Sequence, residues 1–476
     1  MSEIQGQAPD PRRRRLLAGG LAGAGAGLLP PAQAQVRLDQ PPPREPLAAL
    51  GAPPLAQQRL ANGLRVMVLP RPGGARLGLQ LMVAAGAAHE PAGREGVIAL
   101  GMAALARGAR RDGEDMDFDD IAYAAESLGA PLVLEGGGQA SLLGLALPAG
   151  LEDGLGDALA LLADLVREPL LSAQALAHVR QQAQDRDRLL RFDPAALAEL
   201  WAPRLAGGAA PVPAAALQRL RREDLLLFRR QYLRPERCTL VLAGELGAQE
   251  GLALARALFE DWRPGPAAVP AAPRPAVAPS SLFLDLAAEI GAAPDHAELL
   301  FALPPGGDAL ARRLALELVA LRLQPRGADE GLLDGCRLHP LDLPEAQPET
   351  WRLQLRWGEA AQMLAALQAG WSAALADAPT PDELARAWGR LQAEAAERAT
   401  DPLVLGASLC RLLARGLAPA EALRRLFPPG PPTTESVAAA FAALPRRPVA
   451  LLALGGLAGR AALRQNWPRV PLQPPP

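Results

Sequence analysis

Histidine and cysteine are the residue types in this sequence that could bind a transition metal, and their spacing does not favour a site. No two of the four histidines lie three or four residues apart, as ligands on one helical face would. The three cysteines form no Cys-x-x-Cys pair, so neither a disulfide framework nor a structural zinc site is indicated. Cys238 lies in an apolar run and is expected to be a small buried hydrophobe. The residues concerned are His89, His178, His296, His339, Cys238, Cys336 and Cys410.

Serine and glycine motifs do not indicate a catalytic or phosphate site either. Ser141, Ser172 and Ser280 lack the Gly-x-Ser-x-Gly context of a serine hydrolase. Residues 135–139, Glu-Gly-Gly-Gly-Gln, contain no phosphate-loop pattern and predict a flexible hairpin turn. The net charge of -2 gives no long-range field that would attract nucleic acid, so no nucleic-acid partner is expected.

The beginning of the chain has the order of features that defines an export signal. Four arginines at 12–15 precede an apolar stretch of 14 residues, Leu16 to Leu29, and then Ala32-Gln33-Ala34. This stretch is shorter than the roughly 20 residues of a membrane-spanning helix. The arginines and the weak Gly/Ala-rich hydrophobicity are typical of a twin-arginine signal. We therefore predict a Tat-type signal peptide at 1–34, a Pro-rich linker at 35–47, a periplasmic location and no membrane span in the mature chain.

At 476 residues the chain is too long for one core, and it contains a weak internal repeat. Shifting it by 208 residues aligns turn, capping and apolar residues in the same order in both halves. The final strands align at a shift of 211. The aligned pairs are Gly150 with Gly358, Ser172 with Thr380, Leu176 with Leu384, Asp193-Pro194 with Asp401-Pro402, and Leu240–Gly244 with Leu451–Gly455. Ser172 and Thr380 are each expected to be the N-cap of the next helix.

Between the halves, residues 263–280 contain six Pro and six Ala, which predicts an extended linker. The sequence therefore predicts two domains, at 48–262 and 281–470. Within each, runs of strands are followed by runs of helices, which favours an α+β fold over strict βαβ alternation.

The first half contains a specific succession of motifs. Leu-x-Asn-Gly-Leu-x-Val at 60–66 and a strand at 77–83 are followed by Gly-x-x-x-Glu-Pro at 86–91 and an apolar helix at 97–106. Further on, a helix with Phe228 and Tyr232 leads into Arg-Pro-Glu at 234–236 and a strand. This succession resembles the M16 (insulinase/pitrilysin-like) peptidases. The resemblance implies two tandem homologous α/β domains, each with an antiparallel sheet packed against helices.

In active M16 peptidases the helix after the glycine carries the zinc motif His-x-x-Glu-His. The corresponding positions here are Ala99, Met102 and Ala103, called the motif positions below. A catalytic zinc requires three nitrogen or oxygen ligands at about 2.0–2.2 Å and an open position for water. Alanine has no donor atom, and a thioether is a soft ligand that accepts no proton near neutral pH. The helix expected to supply the third ligand, 173–190, contains no Glu. The resemblance therefore predicts a protein without metal, cofactor or peptidase activity.

The family also uses an Arg and a Tyr from its second half to hold substrate. The corresponding stretch is 326–334, where Arg326 is a candidate remnant and Asp334 replaces the tyrosine of Gly-Leu-x-Tyr. No tyrosine follows Tyr232, so we do not expect this half to complete a partner's site chemically.

Two functions remain open. The first is a catalytically inactive subunit that forms a clamshell peptide-binding chamber with a separate zinc-bearing M16 chain. The second is a stand-alone exported protein that binds or scaffolds peptides without a hydrolytic partner. In both, the resemblance implies that peptides add as an extra strand near residues 135–139, a mode that requires only backbone groups.

Overall fold

A computed structural model describes residues 50–151, 153–190, 192–206, 208, 211–263, 280–285, 296–304, 306–323, 337–341, 350–356, 369–455 and 472–473. They all belong to one compact unit, Leu47–Pro476. The predicted signal peptide, residues 35–47 and most of the predicted linker lie outside the described residues. Within the described part, no helix is both long and apolar enough to cross a bilayer.

The first six-stranded sheet has the order β1-β2-β8-β3-β7-β6. Its strands are β1 (Ala56–Arg59), β2 (Arg65–Pro70), β3 (Arg76–Val83), β6 (Val133–Gly136), β7 (Ser141–Pro148) and β8 (Cys238–Gly244). A separate hairpin is formed by β4 (Ala109–Arg111) and β5 (Glu114–Met116). The helices of this part are α1 (Val97–Leu105), α2 (Phe118–Ser127), α3 (Gly154–Arg167), α4 (Ala173–Leu190), α5 (Pro194–Leu205), α6 (Ala214–Arg219), α7 (Arg222–Tyr232) and α8 (Ala248–Phe259).

The second six-stranded sheet has the order β11-β12-β10-β13-β9-β14. Its strands are β9 (Leu282–Asp285), β10 (His296–Ala302), β11 (Arg337–Pro340), β12 (Thr350–Arg356), β13 (Ala450–Gly455) and β14 (Leu472–Gln473). Its helices are α9 (Ala309–Leu323), α10 (Pro381–Thr400), α11 (Pro402–Ala414), α12 (Pro419–Leu426) and α13 (Thr434–Ala442), and residues 369–374 are also helical.

The α+β prediction is confirmed, but the two sheets are mixed rather than purely antiparallel. In the first, β8 runs parallel to β2 and antiparallel to β3. In the second, β13 runs parallel to β9 and antiparallel to β10. The cause is a long helical connection, which brings β8 or β13 back between two earlier strands of its sheet, and parallel pairs require such a crossover. Five neighbouring strands of the first sheet, β2-β8-β3-β7-β6, correspond in order and relative direction to β9-β13-β10-β12-β11 of the second.

Both faces of the first sheet are buried, as the apolar runs in its strands require. Along β2, Val66 and Val68 face a core formed with α1, α3, α7 and α8, which we call the inner side. Met67 and Leu69 face the opposite, outer side. This alternation follows from the two-residue period of a strand.

The outer side of each sheet is covered by helices from the other part of the chain. The outer cluster of the first sheet contains Leu405 and Leu409 of α11 together with α12. The second sheet packs against Leu197, Trp201 and Leu205 of α5. Packing therefore joins the two parts reciprocally, and the boundaries 48–262 and 281–470 stay predictions.

Candidate functional site

The segment before α1 is fixed by one carboxylate. Glu90 Oε2 accepts a hydrogen bond from the Gly96 backbone N–H at 2.7 Å, and Oε1 accepts one from Ile98 N–H at 2.8 Å. Gly96, the N-cap of α1, is left-handed with φ 88° and has no side chain to cap the helix. Burial raises the pKa of Glu90, although its backbone hydrogen bonds lower it. Glu90 therefore satisfies amide groups that the helix itself leaves free.

Tyr232, His89 and Arg237 pack together beside this cap. The Tyr232 hydroxyl donates to the His89 carbonyl at 2.7 Å, and the Arg237 guanidinium lies 5.7 Å from the Tyr232 ring centroid. Burial and the charge of Arg237 lower the pKa of His89, and burial raises the pKa of Tyr232. Clusters of groups with perturbed pKa values occur in active sites, and they also occur in networks whose role is structural. Here the Tyr232 hydroxyl and the Arg237 guanidinium both bond backbone carbonyls, so this cluster positions the segment that leads into α1.

The three motif positions differ in exposure. Met102 is 1% exposed and belongs to the inner core. Ala99 is exposed and Ala103 is half-buried, one turn apart on the same side of α1. None of the three carries a nitrogen or oxygen donor, so these residues do not fit a catalytic zinc, and no metal-dependent step can be derived from them.

Helix α4 packs on α1 and buries Ala175, Leu176 and Val179 in the inner core. It contains no Glu that could serve as a metal ligand. Arg180 of α4 donates to the carbonyls of Leu217 at 3.0 Å and Leu220 at 2.6 Å. This arginine therefore ties α4 to the C-terminal end of α6.

The strand next to α1, β6, forms one edge of the first sheet, and no strand among the described residues pairs with its outer edge, called the free edge below. A Cβ built on Gly136 would lie 3.2 Å from the Cβ of Ala99, so β6 and α1 are in direct contact there. Gly137 N–H donates to Ala140 carbonyl at 3.1 Å, which continues the register of β6 with β7. Because bonded pairs alternate in antiparallel ladders, the backbone groups of Leu134 and Gly136 point away from β7, toward the free edge.

The glycine-rich turn after β6 is held by hydrogen bonds that sequence reasoning did not predict. The N–H groups of Ala87 and Ala88 donate to the carbonyls of Gly137 and Gly138, both at 3.0 Å. In addition, Ser141 Oγ donates to the Ala85 carbonyl at 2.8 Å. The Gly-x-x-x-Glu-Pro motif thus positions both the turn and α1.

The remaining candidates are dispersed or outside the described residues. Arg326, Asp334 and Cys336 lie outside them. Among the side chains that are described, no group of three His, Cys, Asp or Glu is placed to hold a metal ion. Cys238 and Cys410 are free and buried, and burial raises the pKa of each thiol to about 12. Cys238 is thus the buried small residue that was predicted.

Comparisons with known proteins agree with this geometry. Residues 219–320 match a family profile described as the Peptidase M16 inactive domain. A Helicobacter pylori protease has a TM-score of 0.66 at 14% identity, covering 84% of this chain and 99% of that one. A peptidase M16 inactive domain from Pseudomonas fluorescens has a TM-score of 0.66 at 19% identity, covering 89% and 100%.

A third similar structure is the first half of the periplasmic protease PqqL from Escherichia coli. Its TM-score is 0.64 at 16% identity, with 88% of this chain and 95% of that one covered. The chain spans 49% of the longer PqqL structure. No curated protein sequence matches the chain.

The two sheets, the α1–β6 contact and these likenesses define a protein with the M16 peptidase fold. The predicted resemblance to the M16 (insulinase/pitrilysin-like) family is thereby confirmed, with the family's inactive-domain profile matched at 219–320.

Proposed function

We propose that this protein is a catalytically inactive M16-like subunit that forms a clamshell peptide-binding chamber with a separate zinc-bearing M16 chain. The observation that carries the proposal is the free edge of β6 lying against a helix without metal ligands at positions 99, 102 and 103. The edge offers backbone groups to a peptide, whereas α1 offers nothing that could activate water.

The zinc-bearing partner would supply the hydrolytic chemistry, and this chain would supply a wall of the chamber and a peptide-binding edge. We further propose that the chain is exported to the periplasm by the Tat-type signal at 1–34. One structure of the same fold is described as a periplasmic protease, which is compatible with that location.

The test uses the mature chain, beginning at residue 35, alone and with an intact zinc-motif M16 chain, which is first sought among the genes beside its own. We expect no stoichiometric zinc by metal analysis and no chelator-sensitive cleavage of unfolded peptides by the isolated chain. Mixed with its neighbour, it should form a 1:1 complex whose peptidase activity is lost when this chain is omitted. Zinc-dependent cleavage by the isolated chain would overturn the proposal.

A stand-alone peptide-binding or scaffolding protein is the second candidate, because the free β6 edge is complete within this chain. It predicts peptide binding by the isolated chain and no complex with any zinc-bearing homologue. Methylating every second backbone nitrogen of an extended peptide tests strand addition in both cases. Methylation of one set of alternate nitrogens should block binding, and methylation of the other set should leave it intact, since only one set of peptide N–H groups faces β6.

A further inference from the structure

The inner side of β6 meets Ala99, the exposed motif position, rather than a polar site. Gly136 has no side chain, and Ala99 lies directly over it on α1. Leu134, two residues earlier on the same side of the strand, is half-buried and packs against the inner core. Ala103 continues the surface one helical turn further on. The side chains bordering the free edge on this side are therefore small or apolar.

A peptide paired with β6 would place its side chains by the same geometry. Leu134 and Gly136 direct their backbone groups toward the edge, so they would bond the incoming strand. Directly opposed residues of paired strands point to the same side of a sheet with Cβ atoms about 4.5–5.5 Å apart. The peptide residue opposite Gly136 would therefore project onto Ala99, and alternate residues would project away from α1.

The charged side chains that are nearest to this surface in the sequence already accept hydrogen bonds from the backbone. The Glu90 carboxylate accepts two backbone N–H groups at the start of α1. Glu95 accepts the Gly93 N–H at 2.8 Å in an exposed turn. In the described part of the chain, no ion pair involves a residue of α1 or β6 on this inner side; the Glu135 pair with Arg411 belongs to the outer side.

We propose that the degenerate zinc-motif positions form an apolar side-chain pocket. An extended peptide on the β6 edge would place a residue such as Val, Leu or Phe against Ala99 and Ala103. The inference rests on the proposed peptide binding and names the peptide class: unfolded segments with apolar residues at alternate positions. The same alanines that remove the metal ligands leave room for this side chain.

The experiment measures binding of labelled peptides of about eight residues, made of Ser and Thr with one guest residue scanned along the peptide. The probe protein is the mature chain, and the readout is fluorescence anisotropy. When the guest residue occupies one set of alternate positions, we expect peptides with Leu or Phe to bind about tenfold more tightly than peptides with Gly or Asp. Partial burial of an apolar side chain provides a difference of this size. At the other set of alternate positions, the identity of the guest residue should have little effect on affinity.

The deciding variant is Ala99→Asp, with Ala438→Asp on α13 as the matched control at another exposed helical position. Asp in the first turn of α1 is favourable for the helix, so folding should be retained. Ala99→Asp should weaken binding of the Leu guest about tenfold and favour an Arg guest, and Ala438→Asp should do neither. Peptides that bind with no guest preference, unaffected by Ala99→Asp, would overturn the pocket and leave the proposed function intact. If no peptide binds, peptide binding itself is wrong and the pocket fails with it.

Discussion

Glu90 is the residue whose removal tests the organisation of the site most directly. Glu90→Ala leaves the N–H groups of Gly96 and Ile98 without their acceptor at the start of α1. Unsatisfied, partly buried donors of this kind cost about 1–3 kcal/mol, and we expect the free energy of unfolding to fall by that amount. Urea denaturation measures it. The control is Glu126→Ala, an exposed glutamate on α2, which should change stability by less than about 0.5 kcal/mol.

Glu383 gives the protein a defined response to acid. The Arg322 guanidinium donates to both its carboxylate oxygens, at 2.9 and 2.7 Å, and holds the pKa of Glu383 down to about 2, against an ordinary 4.5. Because the folded-state pKa is depressed, the stabilisation is present above pH 4.5 and is lost as pH falls from 4.5 toward 2. It should amount to roughly 1–3 kcal/mol.

The measurement compares unfolding of the wild type and Glu383→Gln between pH 7 and pH 2. The wild type should be more stable than the variant at neutral pH. The difference in the free energy of unfolding should shrink as the pH falls from 4.5 toward 2. A difference that stays constant down to pH 2 would show that the Arg322 contact does not set the titration.

Single residues were predictable from the sequence when their role is local. Ser172 and Thr380 were predicted as N-caps, and each hydroxyl does accept a backbone N–H three residues on. The alanines and methionine at the motif positions can be read by counting from Gly96. The cap supplied by Glu90 was not predicted, because it depends on how residues 86–96 fold back onto α1.

At the scale of elements, α11 packs on the outer side of the first sheet at unusually short range. A Cβ on Gly78 of β3 would lie 2.5 Å from the Pro402 carbonyl carbon and 2.6 Å from Leu403 N. Both are backbone atoms, which cannot rotate out of the way. Gly406 of α11 in turn packs on Gln80 and Val241. Glycine on both surfaces permits this approach.

Gly78→Ala should therefore separate α11 from the sheet and destabilise the protein by about 1–3 kcal/mol, the usual range for overpacking. The matched control is Gly389→Ala in α10, where a Cβ meets no atom within 4 Å. That substitution should stabilise by about 0.5–1 kcal/mol, because alanine loses less backbone entropy in a helix. The midpoints of denaturant unfolding should shift in opposite directions for the two variants. Equal shifts would contradict the close packing at Gly78.

Elements with strong local patterns were predicted closely, and their partners were not. The helix predicted at 97–106 is α1, and the strand at 77–83 is β3. The insertion of β8 between β2 and β3 was not predicted. Both neighbours are equally apolar, so hydrophobic pattern alone does not select the pairing.

At the scale of the whole molecule, the internal repeat has a structural counterpart in the capping of two helices. Asp193 accepts the N–H groups of Ala195 and Ala196 at the start of α5, and Asp401 accepts those of Leu403 and Val404 at the start of α11. The sequence repeat indicated this similarity. That α5 covers the second sheet and α11 the first could not be predicted, because contacts between distant segments leave no periodicity in the sequence.

The two reciprocal interfaces differ in chemistry. Gly78 and Gln80 pair with Ala243 and Val241 of β8. The residues of β13 that lie 211 positions later, Leu454 and Leu452, pair with His296 and Glu298, which therefore take the corresponding places in the second sheet. Glu298 is fully buried, 3.4 Å from His296 Nε2 and 3.3 Å from Arg352 Nη1. Arg352 also donates to Glu199 of α5 at 3.1 Å. The α5 interface therefore adds a charged contact, to a Glu199 side chain that is 72% exposed, to its apolar packing, whereas the α11 interface depends on close packing around glycine.

Arg352→Met tests whether Arg352, which contacts both Glu298 of the sheet and Glu199 of α5, holds α5 on the second sheet. It leaves the Glu298 carboxylate buried without its countercharge, which costs about 3–5 kcal/mol, so α5 amides should lose protection in hydrogen exchange while α11 amides keep theirs. Replacing both partners, Glu298→Leu with Arg352→Met, removes the buried charge and should restore stability to near the wild type. Arg424→Met, which breaks an exposed pair with Glu421, should cost less than about 1 kcal/mol. If the single and double variants unfold alike, the pair does not couple α5 to the sheet.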